Sequence, residues 1–305
     1  MLIPCTAINT RLKEILKTEV DLLKTKSIVP RLLAIIIGDS PEQQSYVRIK
    51  RRIAEELGVE FVLWQLPEIP TPVIFTELLK LKIAEVAPHG VLIQQPLPPA
   101  YDITKTYLDV PIYMDIEGHV NRLYTFPLVL SCILGLSWVY YRQTSIHEHI
   151  HLEFVKLPIA LSPKMIDWLR TRTIVVAGRG LTTGKPIAQY LTSLDIPYQQ
   201  TNSRSKKNDD LYRSADIIIT GVGKEILTPK NIKPGVILLN FGLREKIIDS
   251  RKRLKGDYDD DTIKDIAALY SGTPGGLGPV DVTCMYANLI QAAQQTGHQV
   301  ESLQV

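Results

Sequence analysis

Residues Arg31–Ile37 read RLLAIII and stop at Gly38. A run this short, apolar and β-branched fits a strand buried on both faces. Such a strand belongs to a parallel sheet covered by helices, and the flanking sequence supplies them. Helical spacing recurs over 10–27, with Asn9 or Thr10 as the expected cap, over 42–57, stopped by Gly58, and over 72–86. Further strands are expected at 59–66 and 90–95, the second closed by Pro96-Leu97-Pro98-Pro99. The resulting βαβαβ order implies parallel pairing with right-handed crossovers. A second α/β unit starts near residue 170. It has an expected strand at 172–177, a glycine-rich loop at 178–184 and a helix at 185–194. Strands follow at 198–201, 216–220, 236–240 and 267–270, with a helical turn at 209–214 and a closing helix over 281–295.

A length of 305 residues agrees with two domains at roughly 150 residues each. The excess of 35 basic over 32 acidic residues leaves a net charge of +3, too small to imply a nucleic-acid partner. A hydrophobic fraction of 45% with 22% charged residues excludes general disorder. The three cysteines, Cys5, Cys132 and Cys284, are dispersed and odd in number, which argues against a disulfide framework and for a reducing compartment. Cys284 reads as a small core residue. The N-terminus carries neither a signal-peptide nor a transit-peptide pattern, so a cytoplasmic location is expected. Residues 123–141 carry no charge and approach the ~20 residues that span a bilayer. Pro127, Ser131 and Gly135 interrupt them, so a buried or partner-facing helix is expected and membrane insertion is not. His147, His149 and His151 alternate without an established ligand spacing around them. They read as a polar surface stretch, and no metal is expected.

Two regions carry chemistry. In the second unit the strand, the glycines Gly178, Gly180 and Gly184 and the following helix suit a pyrophosphate: glycines admit close backbone approach, and the helix start offers N–H groups and a positive dipole end. The next strand ends in Asn202-Ser203-Arg204-Ser205, without the acidic residue that would hold a ribose 2′-hydroxyl. Ser203 and Arg204, with Arg179, suit a 2′-phosphate, so NADP is expected over NAD. In the first unit Tyr46 and Lys50 lie four apart on one helix face. Gln94 ends an apolar strand at the sheet edge where parallel α/β folds bind ligands. Asp115 and Glu117 sit in a turn-like stretch with Gly118 and His119.

In combination these pieces resemble the bifunctional methylenetetrahydrofolate dehydrogenase/cyclohydrolase family. The matching stretches, in order, are Ser45-Tyr46-Val47-Arg48-Ile49-Lys50, Gly90 to Pro98, Gly178-Arg179 to Gly184-Lys185-Pro186, Asn202 to Ser205, and Pro274-Gly275-Gly276-Leu277-Gly278-Pro279. The resemblance implies an α/β fold of two domains. Residues 1–125, completed by 281–305, form a βαβ folate-binding catalytic domain. Residues 126–158 are an atypical insertion. Residues 159–280 form a Rossmann-like NADP-binding domain, and the C-terminal helix returns to the first domain. It implies a homodimer, with both ligands held in a cleft. It implies Lys50 as the acid/base group of the cyclohydrolase step, Gln94 orienting Lys50, Tyr46 packing on the folate, and Glu117 in place of an Asp that anchors the pterin. Arg48, Arg51 or Arg52 would tune Lys50. Pro96, Leu97, Asp115, Pro274 and Gly275 are further implied substrate contacts. Gly178, Arg179, Gly180, Gly184, Lys185, Pro186, Ser203, Arg204, Gly276 and Gly278 are implied cofactor contacts. Glu117, Asp281 and the insertion leave open a single-activity or non-catalytic relative that binds folate or NADP.

Arg204→Ala is expected to weaken NADP binding by ~10-fold or more and NAD binding little, because only NADP has the phosphate that the guanidinium would hold. Parallel titrations of both dinucleotides check this, and equal losses would remove the 2′-phosphate role.

Overall fold

The computed structural model describes residues 1–120, 123–144, 152–202, 208–248 and 251–302. The chain divides into two compact units. One holds Leu12–Pro127 and Val282–Val305, the other Met1–Arg11 and Leu128–Asp281.

The unit containing Leu12–Pro127 is built on strands β1 (Arg31–Ile37), β2 (Glu60–Leu66) and β3 (Gly90–Ile93). They pair in parallel in the order β2-β1-β3, with Leu33 opposite both Val62 and Val91. β1 is central, which explains why six of its seven residues are buried apolar ones. The unit takes in most of α1 (Cys5–Thr25), and α2 (Pro41–Leu57), α3 (Pro72–Val86) and the short α4 (Ile103–Tyr107). α2 presents Gln43, Val47, Ile53, Ala54 and Leu57 inward at helical spacing and ends on Gly58 in the left-handed conformation, φ 76°. One sheet face packs Leu33, Ile35, Ile37 and Val91 against Phe75, Leu79 and Tyr107.

The other unit contains α5 (Pro127–Thr144), α6 (Pro163–Arg170), β4 (Ile174–Ala177), α7 (Gly184–Ser193), β5 (Gln199–Thr201), α8 (Asn208–Ser214), β6 (Ile217–Thr220) and β7 (Ile237–Asn240). It continues through the hairpin β8 (Arg244–Ile248) and β9 (Arg251–Lys255), α9 (Asp260–Ile263) and β10 (Leu269–Tyr270). Five parallel strands lie in the order β10-β7-β6-β4-β5, a doubly wound arrangement with its reversal beside β4. The last helix, α10 (Leu277–Ser302), begins here and continues into the first-described unit. There Gln294 donates to Glu19 at 3.0 Å, and a Cβ on Gly90 would collide with Leu289. The C-terminal helix therefore returns to the sheet of β1–β3.

Several expectations differ from the structure. α1 starts at Cys5, not at a cap on Asn9 or Thr10, because Cys5 and Ile8 extend the buried stripe of Leu12, Leu16, Val20 and Leu23. Residues Met1–Arg11 group with the second-described unit, where Ile3 N donates to Tyr270 O, Tyr270 N donates to Met1 O, and the terminal amine donates to Ala268 O. The segment expected as an insertion supplies α5, whose Ser131 donates to Leu277 O at 2.8 Å and whose Gly135 faces Leu277 and Leu239. Residues 127–139 are buried throughout, and that all-round burial accounts for the missing charges. Among the described residues no helix is long and apolar enough to cross a membrane. α10 starts four residues before the expected position, since Pro279 is tolerated in a first helical turn. His147, His149 and His151 lie outside the described residues. All three cysteines are buried, and burial pushes the Cys5 and Cys132 thiols up to about 12, which leaves them protonated and unreactive.

Asn288 of α10 is buried and donates to Ile116 O at 2.7 Å and Thr125 O at 2.9 Å. Asn288→Ala strands two buried carbonyls and is expected to cost about 2–4 kcal/mol, read by urea unfolding.

Candidate active site

Three elements of the first-described unit converge on Lys50. α2 carries it, β3 delivers Gln94 just past its C-terminal end, and the loop after α4 delivers Glu117. Lys50 Nζ donates to Gln94 Oε1 at 2.8 Å. The amide is oriented by its own bonds: Gln94 Nε2 donates to Gln95 O at 2.7 Å, so the oxygen must face Lys50. Gln43, seven residues before Lys50 on the same helix, is fully buried and donates to Gln94 O at 3.1 Å and Pro96 O at 2.7 Å. It ties α2 to the proline turn, where the Gln95–Pro96 peptide is cis. From α10, Tyr286 donates its hydroxyl to Lys50 O at 2.6 Å. The lysine is thus fixed at its backbone and at its ammonium.

Glu117 lies beside this pair. Tyr107 donates its hydroxyl to Glu117 Oε2 at 2.7 Å while accepting the Ile93 N–H at 2.9 Å. Burial and the Glu117 charge push the Tyr107 phenol well above its ordinary range, so it remains a donor. Burial acts to raise the Glu117 carboxyl, but the nearby His119 imidazole, the charge of Lys50 and the Tyr107 hydroxyl outweigh it and hold the carboxyl below its ordinary value. The site therefore presents an ionised carboxylate beside an amine.

The remaining candidates fall into place around this centre. Tyr46 is 40% exposed, leaving its ring open for stacking. Pro96 is exposed and Leu97 half-buried. Asp115 is fully buried, and its oxygens accept the His119 and Val120 N–H groups at 3.2 and 3.0 Å, so it shapes the loop that carries Glu117. The arginines expected to tune Lys50 are engaged elsewhere in two cases: Arg51 lies over the Phe61 ring, and Arg52 faces Glu56 at 3.8 Å. The Lys50 charge acts on the Glu117 carboxyl and helps hold it ionised.

The second-described unit carries the glycine turn. Gly178 has φ 98°, and a Cβ on Gly184 would collide with Gly178 O, so both positions demand glycine. Gln200 donates to Gly178 O at 2.9 Å and Gly184 O at 3.3 Å, closing the turn. Gly180 faces open space, and Arg179 and Lys185 are exposed beside it. No side chain caps the start of α7, but the Lys185 N–H already donates to Gly180 O at 3.0 Å and Pro186 has no N–H to offer. A second nest of N–H groups, at Val222, Gly223 and Lys224 after β6, is already filled: Asp257 is buried and accepts all three at 2.6, 2.8 and 3.1 Å, with Thr220 Oγ1 at 2.5 Å. Of the two turns, the Asp257 nest already holds an anion, and the glycine turn is the one with exposed cations, Arg179 and Lys185, beside it. Asn240 at the end of β7 joins the neighbouring loops by donating to Gly242 O at 2.8 Å and Thr273 Oγ1 at 2.9 Å. Beyond Thr273, Pro274 follows a cis peptide, Gly275 has φ 87°, Gly276 packs against Gly272 O, and Gly278 is open. Ser203 and Arg204 lie outside the described residues.

Two family models match the two halves of the chain. The tetrahydrofolate dehydrogenase/cyclohydrolase catalytic domain matches residues 3–117, and the NAD(P)-binding domain of the same family matches residues 160–297. The chain belongs to the tetrahydrofolate dehydrogenase/cyclohydrolase family. A bifunctional protein FolD from Exiguobacterium sp. is 28% identical over 285 residues, covering 93% of this chain and 95% of the relative. One from Lactococcus lactis subsp. cremoris is 28% identical over 298 residues, covering 96% of each. Among solved structures, the bifunctional FolD enzyme of Campylobacter jejuni aligns with TM-score 0.81 at 22% identity, over 97% of this chain and 99% of the other. The Trypanosoma brucei enzyme, solved with NADP cofactor and inhibitor, aligns with TM-score 0.77 at 23% identity, over 97% and 98% of the two chains. These two likenesses establish the fold.

A carboxyl depressed in the native state contributes stability that is fully present above its unfolded value, near 4.5, and is lost as pH falls through the native value. Glu117→Gln is expected to remove this dependence. Unfolding free energies measured from pH 7 down through 4 should fall less steeply for the variant than for the wild type.

Proposed function

We propose that this chain oxidises 5,10-methylenetetrahydrofolate to the 5,10-methenyl cation with NADP and hydrolyses that cation to 10-formyltetrahydrofolate, serving one-carbon metabolism. The observation that carries the reading is the Lys50–Gln94 hydrogen bond with Glu117 beside it, in the unit matched by the family's catalytic domain.

In the first step NADP, when bound, supplies the nicotinamide that takes the hydride from the methylene carbon. The folate's two nitrogens spread the resulting positive charge, so the protein's work is positioning more than base catalysis. Tyr46 offers an exposed ring for the aromatic body of the folate. Glu117, held ionised, accepts pterin N–H groups. Pro96 and Leu97 shape the adjoining wall, Asp115 sets the loop, and Pro274 and Gly275 are further folate contacts in this reading. In the second step water adds to the cationic carbon and loses both its protons: one is released, and the other ends on a ring nitrogen as that nitrogen's bond to the carbon breaks, leaving the formyl group. Lys50 moves the proton at Nζ, and Gln94 Oε1 keeps that atom aimed.

On the nucleotide side, Gly178, Gly180 and Gly184 give backbone access, Arg179 and Lys185 supply positive charge, and Pro186, Gly276 and Gly278 line the approach. Ser203 and Arg204 take the 2′-phosphate in this reading, which makes the preferred dinucleotide NADP. We place the protein in the cytoplasm as a homodimer.

Lys50→Met is expected to reduce methenyl-cation hydrolysis by ~10²-fold or more. A stopped-flow assay that follows loss of the methenyl chromophore reads this directly. Hydrolysis at the wild-type rate would take Lys50 out of the mechanism.

A further inference from the structure

His119 has no place in the scheme above, yet it is built into the centre. Its side chain is 8% exposed. Its ring lies 4.5 Å from the Tyr107 ring, centroid to centroid, and 5.4 Å from Phe126 in an edge arrangement. Two aromatic neighbours pack on the imidazole and place Nε2 3.4 Å from Glu117 Oε2, at ion-pair distance. Nε2 is buried and makes no hydrogen bond among the described residues, which leaves Glu117 Oε2 as the acceptor beside it. A lone pair on Nε2 would face a carboxylate oxygen and be repelled, so Nε2 carries the proton. Tyr107 donates to the same oxygen. A hydroxyl donor and an imidazole nitrogen, from different elements, thus stand against Oε2 at 2.7 and 3.4 Å.

We propose that His119 is a positioning residue for the folate step, its Nε2–H fixing the Glu117 carboxylate so that Oε1 faces the pterin. This rests on the function proposed above. A carboxylate on a two-carbon stem has three rotatable bonds, and ordering it on binding would cost entropy. With Oε2 pinned, that cost is met on folding. The charged and titratable groups that act on Glu117 are Lys50 from α2, Tyr107 at the end of α4 and His119 from its own loop, while the Asp115 charge acts on Tyr107. Tyr107 cannot replace His119, because it already spends its single proton on Oε2, and Lys50 acts on Glu117 through its charge, with its hydrogen bond going to Gln94.

The experiment compares wild type, His119→Phe and His119→Gln. Phenylalanine keeps the packing on Tyr107 and Phe126 and removes the N–H, and glutamine restores an N–H donor. The first readout needs no activity: carbon-detected NMR of the Glu117 carboxyl in ligand-free protein. The carboxyl is expected to titrate at higher pH in His119→Phe and to return most of the way toward wild type in His119→Gln. The second readout is dehydrogenase kinetics across pH. His119→Phe should raise KM for methylenetetrahydrofolate by ~10-fold, with the loss falling on KM more than on kcat, and should move the acid limb of kcat/KM upward in pH. Should His119→Phe prove unfolded at 25 °C, His119→Asn, whose amide stops short of Glu117, takes its place. An unchanged Glu117 titration without the imidazole, or a glutamine variant no better than phenylalanine, would overturn the proposal. A wild-type protein without turnover would instead overturn the proposed function, and the carboxyl titration would still decide the role of His119.

Discussion

The hydrogen bond from Lys50 Nζ to Gln94 Oε1 is the contact around which the catalytic unit is arranged. A lysine side chain has four rotatable bonds and loses up to about 2 kcal/mol of rotamer entropy when ordered. It stays in one place only if its surroundings define that place. Here the definition is redundant. Tyr286 holds the lysine's carbonyl from α10, Gln43 holds the main chain at Gln94 and Pro96, and the Gln95 carbonyl dictates which end of the Gln94 amide faces inward. Each of these residues comes from an element whose own position follows from burial around β1. The route from an apolar strand to an aimed ammonium is therefore short, and it passes through three glutamine or tyrosine side chains.

Three acidic residues with little solvent contact show how the fold separates structural anions from available ones. Asp257 accepts three main-chain N–H groups and a threonine hydroxyl, which completes a nest that would otherwise bind a phosphate. Asp115 accepts two main-chain N–H groups of its own loop. Main-chain donors cannot leave, so both carboxylates are committed. Glu117 is treated differently, because the groups at its Oε2 are side chains, the Tyr107 hydroxyl at 2.7 Å and the His119 ring nitrogen at 3.4 Å. A buried carboxylate needs hydrogen bonds to remain ionised, but a ligand site needs an unclaimed acceptor. Side-chain partners gathered at Oε2 suit both conditions.

The strands, most helices and the glycine turn were legible in the sequence because each rests on a local signal. β1 shows an unbroken apolar run, α2 shows period and a glycine stop, and Gly178 to Gly184 sits between a strand and a helix. The hairpin β8–β9 was not legible, since its strands read REKII and RKRLK without clean alternation. Start positions of α1 and α10 slipped because a stripe can extend past a plausible cap and a first turn accepts proline. At the site, Lys50 and Gln94 could be singled out by helix face and strand end. Gln43, Tyr107, Asn240 and Asp257 could not, because each works through main-chain groups that only the folded chain brings near. Gln43 left one trace: it shares the inward stripe of α2, a polar residue where the period asks for an apolar one.

The family's sequence pattern carries an aspartate where this chain has Glu117. The extra methylene displaces the carboxylate by about 1.5 Å and adds one rotatable bond. The displacement changes where the acceptor sits, and the added bond weakens how firmly it is held. The surrounding residues answer the second problem: Tyr107 is locked as a donor by the Ile93 N–H, and the imidazole of His119 is locked by two aromatic rings. A longer carboxylate tethered by two rigid donors has little more freedom than a shorter one held by its stem. Glu117 and His119 are therefore best understood as one unit, in which the histidine restores the order that the longer side chain gives up.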